Sequence, residues 1–179
     1  MMKTCLLFNY LIFFVLNCYW VTVNGWFCKF NKNLITERHN DLRLKHDVQP
    51  LSWDSQLEKA ASVEVDLIKK YENCNVNAKQ INTNYFITTS NSRVEPAVDL
   101  WYEGINNYDF ELGPIKKEEN VFEFTRMVWK SAQHIGCAIA CCKNNVIFTC
   151  KYDSDTNKPG HFANNVKPIN KMFIGIGYT

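Results

Sequence analysis

A chain of 179 residues with a formal charge of +2 is sized for one domain, and so even a balance gives no reason to expect nucleic acid or an anionic membrane as a partner. No repeat, low-complexity segment or Pro/Gly linker divides it. Residues 1–25 stand apart: Lys3 is their one charge, an apolar run from Cys5 to Val23 follows, and Gly25 supplies a small residue at its end. This pattern predicts a secretory signal peptide cleaved near Gly25, leaving a single domain over residues 26–179 with no transmembrane anchor. An uncleaved anchor is the alternative, weakened by Asn9, Asn17 and Asn24 within the run. Of the eight cysteines, Cys5 and Cys18 leave with the leader, and an even set of six in a secreted chain suggests three disulfides. No Asn-x-Ser/Thr sequon occurs, so N-glycosylation is not expected.

Along the remaining chain, residues 33–46 read as a helix with an imperfect apolar face of Leu34, Ile35, His39, Leu42 and Leu44, ended by residues 47–50. Ser52 or Asp54 can cap a second helix running to about Tyr71, with Leu57, Ala60, Ala61 and Ile68 at helical spacing. A polar loop over residues 72–80 leads to a strand-like stretch at residues 85–89. Pro96 sits where a helix can begin, and Ala97, Leu100, Trp101 and Ile105 form one stripe. Residues 109–120 read as a charged loop and residues 124–130 as a short helix. Residues 135–141 and 146–152 are strand-like, joined by the turn Lys143-Asn144-Asn145, and the apolar tail over residues 173–178 reads as a last strand or an ordered edge. Helices first and strands later make the chain α+β.

Several stretches then line up in one order. Glu37-Arg38-His39-Asn40-Asp41-Leu42-Arg43 precedes Pro50-Leu51-Ser52-Trp53-Asp54, and Leu100-Trp101-Tyr102-Glu103 precedes Asn107-Tyr108. Phe124-Thr125-Arg126-Met127-Val128-Trp129, Ile135-Gly136-Cys137, Phe148-Thr149-Cys150-Lys151-Tyr152 and Asn164-Asn165-Val166 complete the set. Together they resemble the CAP superfamily of cysteine-rich secretory proteins, antigen 5 venom allergens and pathogenesis-related 1 proteins, over about residues 33–166.

The resemblance implies an α-β-α sandwich, with a small antiparallel sheet between helical layers. It also implies that Cys137 pairs with Cys150 and Cys74 with Cys142. Cys28 and Cys141 remain, and their bridging to each other is one expectation among the fifteen connectivities that six cysteines allow. Many members of the family carry two histidines and two glutamates around a central cleft, a set that binds a divalent ion in some of them and suits a zinc-like ion. Matched position by position, Glu123 stands where one histidine would be, Gly104 where a glutamate would follow the Trp-Tyr pair, and Thr83 in Asn82-Thr83-Asn84 where the other glutamate would be. Glu72 is the nearest match to the remaining histidine. All four positions are therefore expected to be degenerate, with no metal and no cofactor.

The histidines of the chain are His39, His46, His134 and His161. His39 falls in the family's His-Asn-x-x-Arg pattern with a structural role, and His134 and His161 lie in turns expected to be solvated. Glu72 and Glu123 by themselves would make a weak oxygen site, since Ca²⁺ and Mg²⁺ want about six oxygen ligands; a solvated side chain, or an ion pair of Glu123 with Arg126 or a lysine, is the plainer expectation. No Gly-x-Ser-x-Gly, His-Glu-x-x-His or phosphate-cradling glycine loop is present.

The expected function is therefore non-enzymatic: a monomeric secreted protein that binds an extracellular macromolecule, with the loops at residues 72–80 and 109–120 carrying specificity. A sterol or fatty-acid carrier is the alternative, with Tyr102, Tyr108 and Phe110, off the helical stripe, as the expected exposed surface. A metal-dependent hydrolase comes last.

Overall fold

A computed structural model describes residues 28–72, 74–76, 80–89, 92–115 and 119–174. The expected leader and cleavage site lie outside these residues. In chain order the elements are α1 (Lys32–Lys45), β1 (Ser52–Trp53), α2 (Ser55–Glu72), β2 (Thr83–Thr89), α3 (Ala97–Tyr102) running on into a 3₁₀ turn (Glu103–Asn107), β3 (Tyr108–Asp109), β4 (Gly113–Pro114), α4 (Glu119–Met127), β5 (His134–Cys141), β6 (Asn145–Tyr152), α5 (Phe162–Asn165) and α6 (Lys171–Ile174).

The helix starts follow local chemistry. Asn31 caps α1 by accepting from the amides of Asn33 and Leu34, and Asp54, not Ser52, caps α2 by accepting from those of Gln56 and Leu57. Ser52 instead lies in β1, opposite His134 of β5. The α1 face also differs from the expected one: Ile35, His39, Leu42 and Arg43 are buried, while Leu34 and Leu44 are exposed. Polar side chains take the inner face because every buried polar group there finds a partner.

The central sheet runs β1-β5-β6-β2, with β1 parallel to β5 and the remaining pairs antiparallel. Its two inner strands, β5 and β6, are largely buried on both faces. On β6, Val146, Phe148, Cys150 and Tyr152 join the larger core with Ile35 and Leu42 of α1, Trp101 of α3 and Phe124 of α4. Ile147 points the other way, into a second core with Ala61, Val65 and Ile68 of α2 and Tyr85 of β2. This alternation is the period of two that a pleated strand imposes. The fold is thus an α+β sandwich with a small sheet between helical layers. Trp101 is 2 % exposed, stacks on Phe148 with ring centroids 5.9 Å apart and donates its indole N–H to the Tyr85 carbonyl, which makes it core.

Disulfides join Cys28 to Cys141, Cys74 to Cys142 and Cys137 to Cys150. Each such crosslink stabilises a fold by about 2–4 kcal/mol. Gly136 marks a close approach of α2 to the sheet: a Cβ there would lie 2.1 Å from the Glu58 amide nitrogen. Two expected elements differ. The α4 helix begins at Glu119, ahead of the expected residue 124, because Val121 and Phe124 already form one buried face with Met127. The apolar tail begins not as a strand but as the helical turn α6, where Asn170 accepts from the Met172 amide; residues 175–179 lie outside the described ones.

Candidate functional site

Thr83 opens β2 and is fully buried. Its hydroxyl donates to the Ile81 carbonyl at 3.2 Å and accepts from the Lys151 ammonium at 3.1 Å. Strand register causes this meeting, since Thr83 and Lys151 are cross-strand partners. The ammonium in turn pairs with the Glu64 carboxylate, which also accepts from the Tyr85 hydroxyl. That hydroxyl accepts from the Gln80 amide at 2.9 Å.

Gly104 is buried in the 3₁₀ turn, where a Cβ would lie 2.0 Å from the Asn120 carbonyl oxygen and 2.9 Å from Phe124 Cβ. The backbone of α4 therefore occupies the space that any side chain at 104 would need. Replacing Gly104 with alanine is expected to cost about 1–3 kcal/mol, read as a lower urea midpoint. An unchanged midpoint would show room for a side chain at this position.

Glu123 is half-buried on α4, and its backbone carbonyl accepts from the Asn84 side-chain amide at 3.0 Å. The same Asn84 amide donates to the Tyr152 hydroxyl at 3.3 Å, and Asn84 Oδ1 accepts from Arg126 Nη1 at 3.3 Å. The Tyr152 hydroxyl also meets His39 Nε2 at 3.0 Å. Burial pushes the Tyr152 hydroxyl pKa far up, with Arg126 and Arg43 opposing and Glu123 adding to the rise. The group stays neutral and acts as a hydrogen-bonding link. Glu72 is the last residue of α2, and its side chain lies outside the described residues.

These residues do not fit a bound metal. Thr83 offers one hydroxyl already in contact with an ammonium, Gly104 offers no ligand, and a cation beside Lys151 would be repelled. Among the described residues, no group of three or more His, Cys, Asp or Glu side chains could hold an ion. His39 and His46 are fully buried. Each presents Nδ1 to a backbone carbonyl, that of Ile35 and of Lys167, and Nε2 to a tyrosine hydroxyl, that of Tyr152 and of Tyr102. His134 opens β5 rather than lying in a turn, and its side chain, 43 % exposed, meets Asp153 at 2.6 Å. His161 is exposed.

The expected exposed aromatics are a second correction. Tyr108 is 6 % exposed, and Tyr102 and Phe110 are half-buried against the larger core. Tyr108 meets Phe110 and Phe124 with ring centroids 5.1 and 5.7 Å away, and Tyr102 meets Phe124 at 5.5 Å. The tight 3₁₀ turn after α3 brings Tyr108 and Phe110 inward beside α4, a rotation that a purely α-helical stripe does not foretell.

Openings among the described residues include two near this cluster. One, of about 970 Å³, runs along α2 past Val63, Glu64 and Leu67 to Gln80 and Lys151. Val63, Leu67 and Tyr71 are 54 %, 51 % and 70 % exposed. They recur every four residues, so a second apolar stripe on α2 was readable in the sequence. The other, of about 520 Å³, lies between Asn82, Arg126 and the loop after β6. No helix among the described residues is long and apolar enough to cross a membrane.

The comparisons agree with this architecture. Cysteine-rich venom protein VAR8 of Varanus acanthurus is 26 % identical over 142 residues, which cover 72 % of this chain and 71 % of that protein. The crystal structure of hookworm platelet inhibitor matches with a TM-score of 0.54 at 22 % identity, over 73 % of this chain and 74 % of the other. Venom allergen-like protein 4 of Schistosoma mansoni matches with a TM-score of 0.54 at 18 % identity, over 72 % of this chain and 92 % of the other. At such identities the structural likeness speaks for the fold alone. The family model described as CAP, cysteine-rich secretory protein family, matches residues 36–152, well over half of the chain, and the protein therefore belongs to that family.

Proposed function

We propose that the protein is secreted and works without catalysis, by binding an extracellular macromolecule, one belonging to a host included. One observation carries this reading: at two of the positions that the resemblance matches to the family's cleft stand a buried threonine that accepts from a lysine ammonium and a glycine whose surroundings the α4 backbone fills. Neither a soft-metal site nor a free imidazole base is available there, while the crosslinked scaffold and its loops are kept. The names of the relatives support an extracellular setting, since one is a venom protein and another a platelet inhibitor. Three disulfides and the leader expected over residues 1–25 point the same way.

The test has two arms. Mature, oxidised protein used as bait against extracellular material, with mass spectrometry of what it retains, is expected to recover one saturable protein partner. Thermal unfolding with added Zn²⁺ is expected to show no stabilisation, because an ion that does not bind the folded state cannot raise Tm. A Tm that climbs with zinc concentration would refute the reading at its base.

Lipid carriage is a second reading, supported by the groove of about 970 Å³ walled in part by Val63 and Leu67. Native mass spectrometry decides it: a co-purifying sterol or fatty acid, lost on Leu67→Asp, would favour carriage.

A further inference from the structure

The four-stranded sheet ends in two edges that differ in kind. β1 is two residues long, and an edge that short offers little to pair with. β2 is seven residues long and carries no charge: from Gln80 to Ser92 the chain has no Lys, Arg, Asp or Glu, and no Pro. Edges that stay bare are commonly guarded by a lysine, a proline or an inward charge, and β2 has none of these. Which of its backbone groups are free follows from the register. The Tyr152 amide donates to the Asn82 carbonyl at 3.0 Å, and these two residues continue the pairing of β2 with β6. Asn84, Phe86 and Thr88 therefore bond inward to β6, while Tyr85, Ile87 and Thr89 turn their amides and carbonyls outward.

Two of the outward carbonyls have one partner each: that of Tyr85 accepts from Trp101 Nε1 at 3.0 Å, and that of Thr89 from the Ser92 amide at 3.0 Å. A carbonyl has two lone pairs, so each can accept again. Among the described residues nothing bonds the amide or the carbonyl of Ile87. Its side chain is 43 % exposed and lies on the α2 side of the sheet, as does that of Ile147 opposite it. On that side Glu64 of α2 accepts from the Tyr85 hydroxyl. α2 runs in the direction of β2, its start against Gly136 of β5 and its end followed by Cys74, which is bridged to Cys142. Leu67 and Tyr71, about one and two helical turns past Glu64, therefore border the same edge, and both are exposed.

We propose that a second copy of the chain pairs along this edge, β2 against β2, antiparallel and centred on Ile87. A two-fold contact of this kind matches itself. The two Ile87 residues exchange both of their free hydrogen bonds. Tyr85 of each copy stands opposite Thr89 of the other, where each outward amide meets a carbonyl with a lone pair to spare. The Ile87 side chains meet across the axis, and Leu67 and Tyr71 of both copies border one cleft, so a single occupant covers the bare edge and the apolar stripe beside it. A foreign extended segment can pair with the edge but brings no second stripe to meet the first. The protein is thus a dimer, not the monomer expected from its sequence, which goes beyond the binding reading and does not depend on it.

The test uses the mature, oxidised protein and sedimentation velocity from about 1 µM to about 200 µM, the range suited to a contact of modest area. The mass is expected to rise from monomer to dimer, and hydrogen exchange followed by NMR is expected to slow at the Ile87 amide as the dimer forms. Ile87→Lys sets two ammonium groups at the axis and is expected to weaken association at least about tenfold. Thr89→Pro removes an outward amide, leaves the ladder to β6 whole, and is expected to weaken it by a similar factor. Circular dichroism checks both variants; should one fail to fold, the other and the exchange of the parent protein decide. A monomer at every concentration, a dimer that neither folded variant weakens, or a dimer whose Ile87 amide exchanges as fast as that of the monomer would each overturn the pairing. A monomer whose Ile87 amide slows only when the protein recovered in the bait experiment is added would give the edge to a foreign strand and overturn it as well.

Discussion

Replacing Arg43 with methionine is expected to remove about 3–5 kcal/mol of unfolding free energy, the largest loss for any single side chain considered. Arg43 is fully buried on α1 and its guanidinium faces four backbone carbonyls. Nε donates to Gln49 at 2.7 Å, Nη1 to Met127 at 2.8 Å and Trp129 at 3.1 Å, and Nη2 to Ala132 at 2.8 Å. The end of α4 and the connection to β5 have thus been handed to one side chain for their orphan carbonyls. Burial lowers the Arg43 pKa to about 10, with Tyr152 and Asp153 opposing, so the group remains charged at neutral pH.

Methionine fills the volume of the stem and takes the guanidinium donors from all four carbonyls, of which that of Trp129 keeps the Ala132 amide at 3.1 Å. Lysine keeps the charge but not the fork, and Arg43→Lys is expected to recover less than half of the loss. Urea unfolding monitored by circular dichroism measures both. A methionine variant within about 0.5 kcal/mol of the parent would show that water replaces the guanidinium freely.

Acidification is expected to produce the second large effect. Burial lowers the pKa of His39 from 6.5 to about 4, with Arg43 adding to the fall and the Ile35 carbonyl and Asp99 opposing. Burial likewise brings His46 to about 4, with Lys45 and Arg43 adding and the Lys167 carbonyl opposing. Both rings are neutral in the fold: Nδ1–H donates to a carbonyl and Nε2 accepts from a tyrosine hydroxyl, a tautomer assigned from these partners.

A folded pKa below the unfolded one means that the unfolded chain takes up protons first as pH falls. The stability held above pH 6.5 is therefore lost between about pH 6.5 and pH 4, and the loss levels off below that. Each histidine contributes about 3 kcal/mol to the fall and the two together about twice that, by the worth of one pKa unit. Urea midpoints measured across this range should drop steeply, and His46→Gln should remove about half of the pH dependence, because one titrating group of the two is gone. A flat profile from pH 6.5 to pH 4.5 would show that neither imidazole is held neutral.

Much of the architecture was legible because it depends on short-range patterns. Asp54 before an apolar-periodic run announces α2, and the β6 segment alternates between two buried faces in the order its residues appear. Thr83, Gly104 and Glu123 were legible as the residues standing at the positions that the resemblance matches to the family's cleft. Their surroundings were not. Nothing near Gly104 in the chain announces that the carbonyl of Asn120 fills the place of a side chain, and the burial of Tyr108 follows from a 3₁₀ turn whose spacing differs only slightly from that of an α-helix. The stripe of Val63, Leu67 and Tyr71 carries a readable period of its own, on the exposed side of α2.

The periodicities, caps and motif order that specify an α+β sandwich of the cysteine-rich secretory protein family are written along the chain. These are local consequences of backbone geometry, and a few neighbouring residues suffice to express them. Which charge meets which polar group emerges only in the folded arrangement. The register of β2 against β6 sets Lys151 over Thr83, and the approach of α4 closes the space at Gly104. Such meetings join residues far apart in the chain, and a slip of one residue in register would turn each side chain to the opposite face of the sheet.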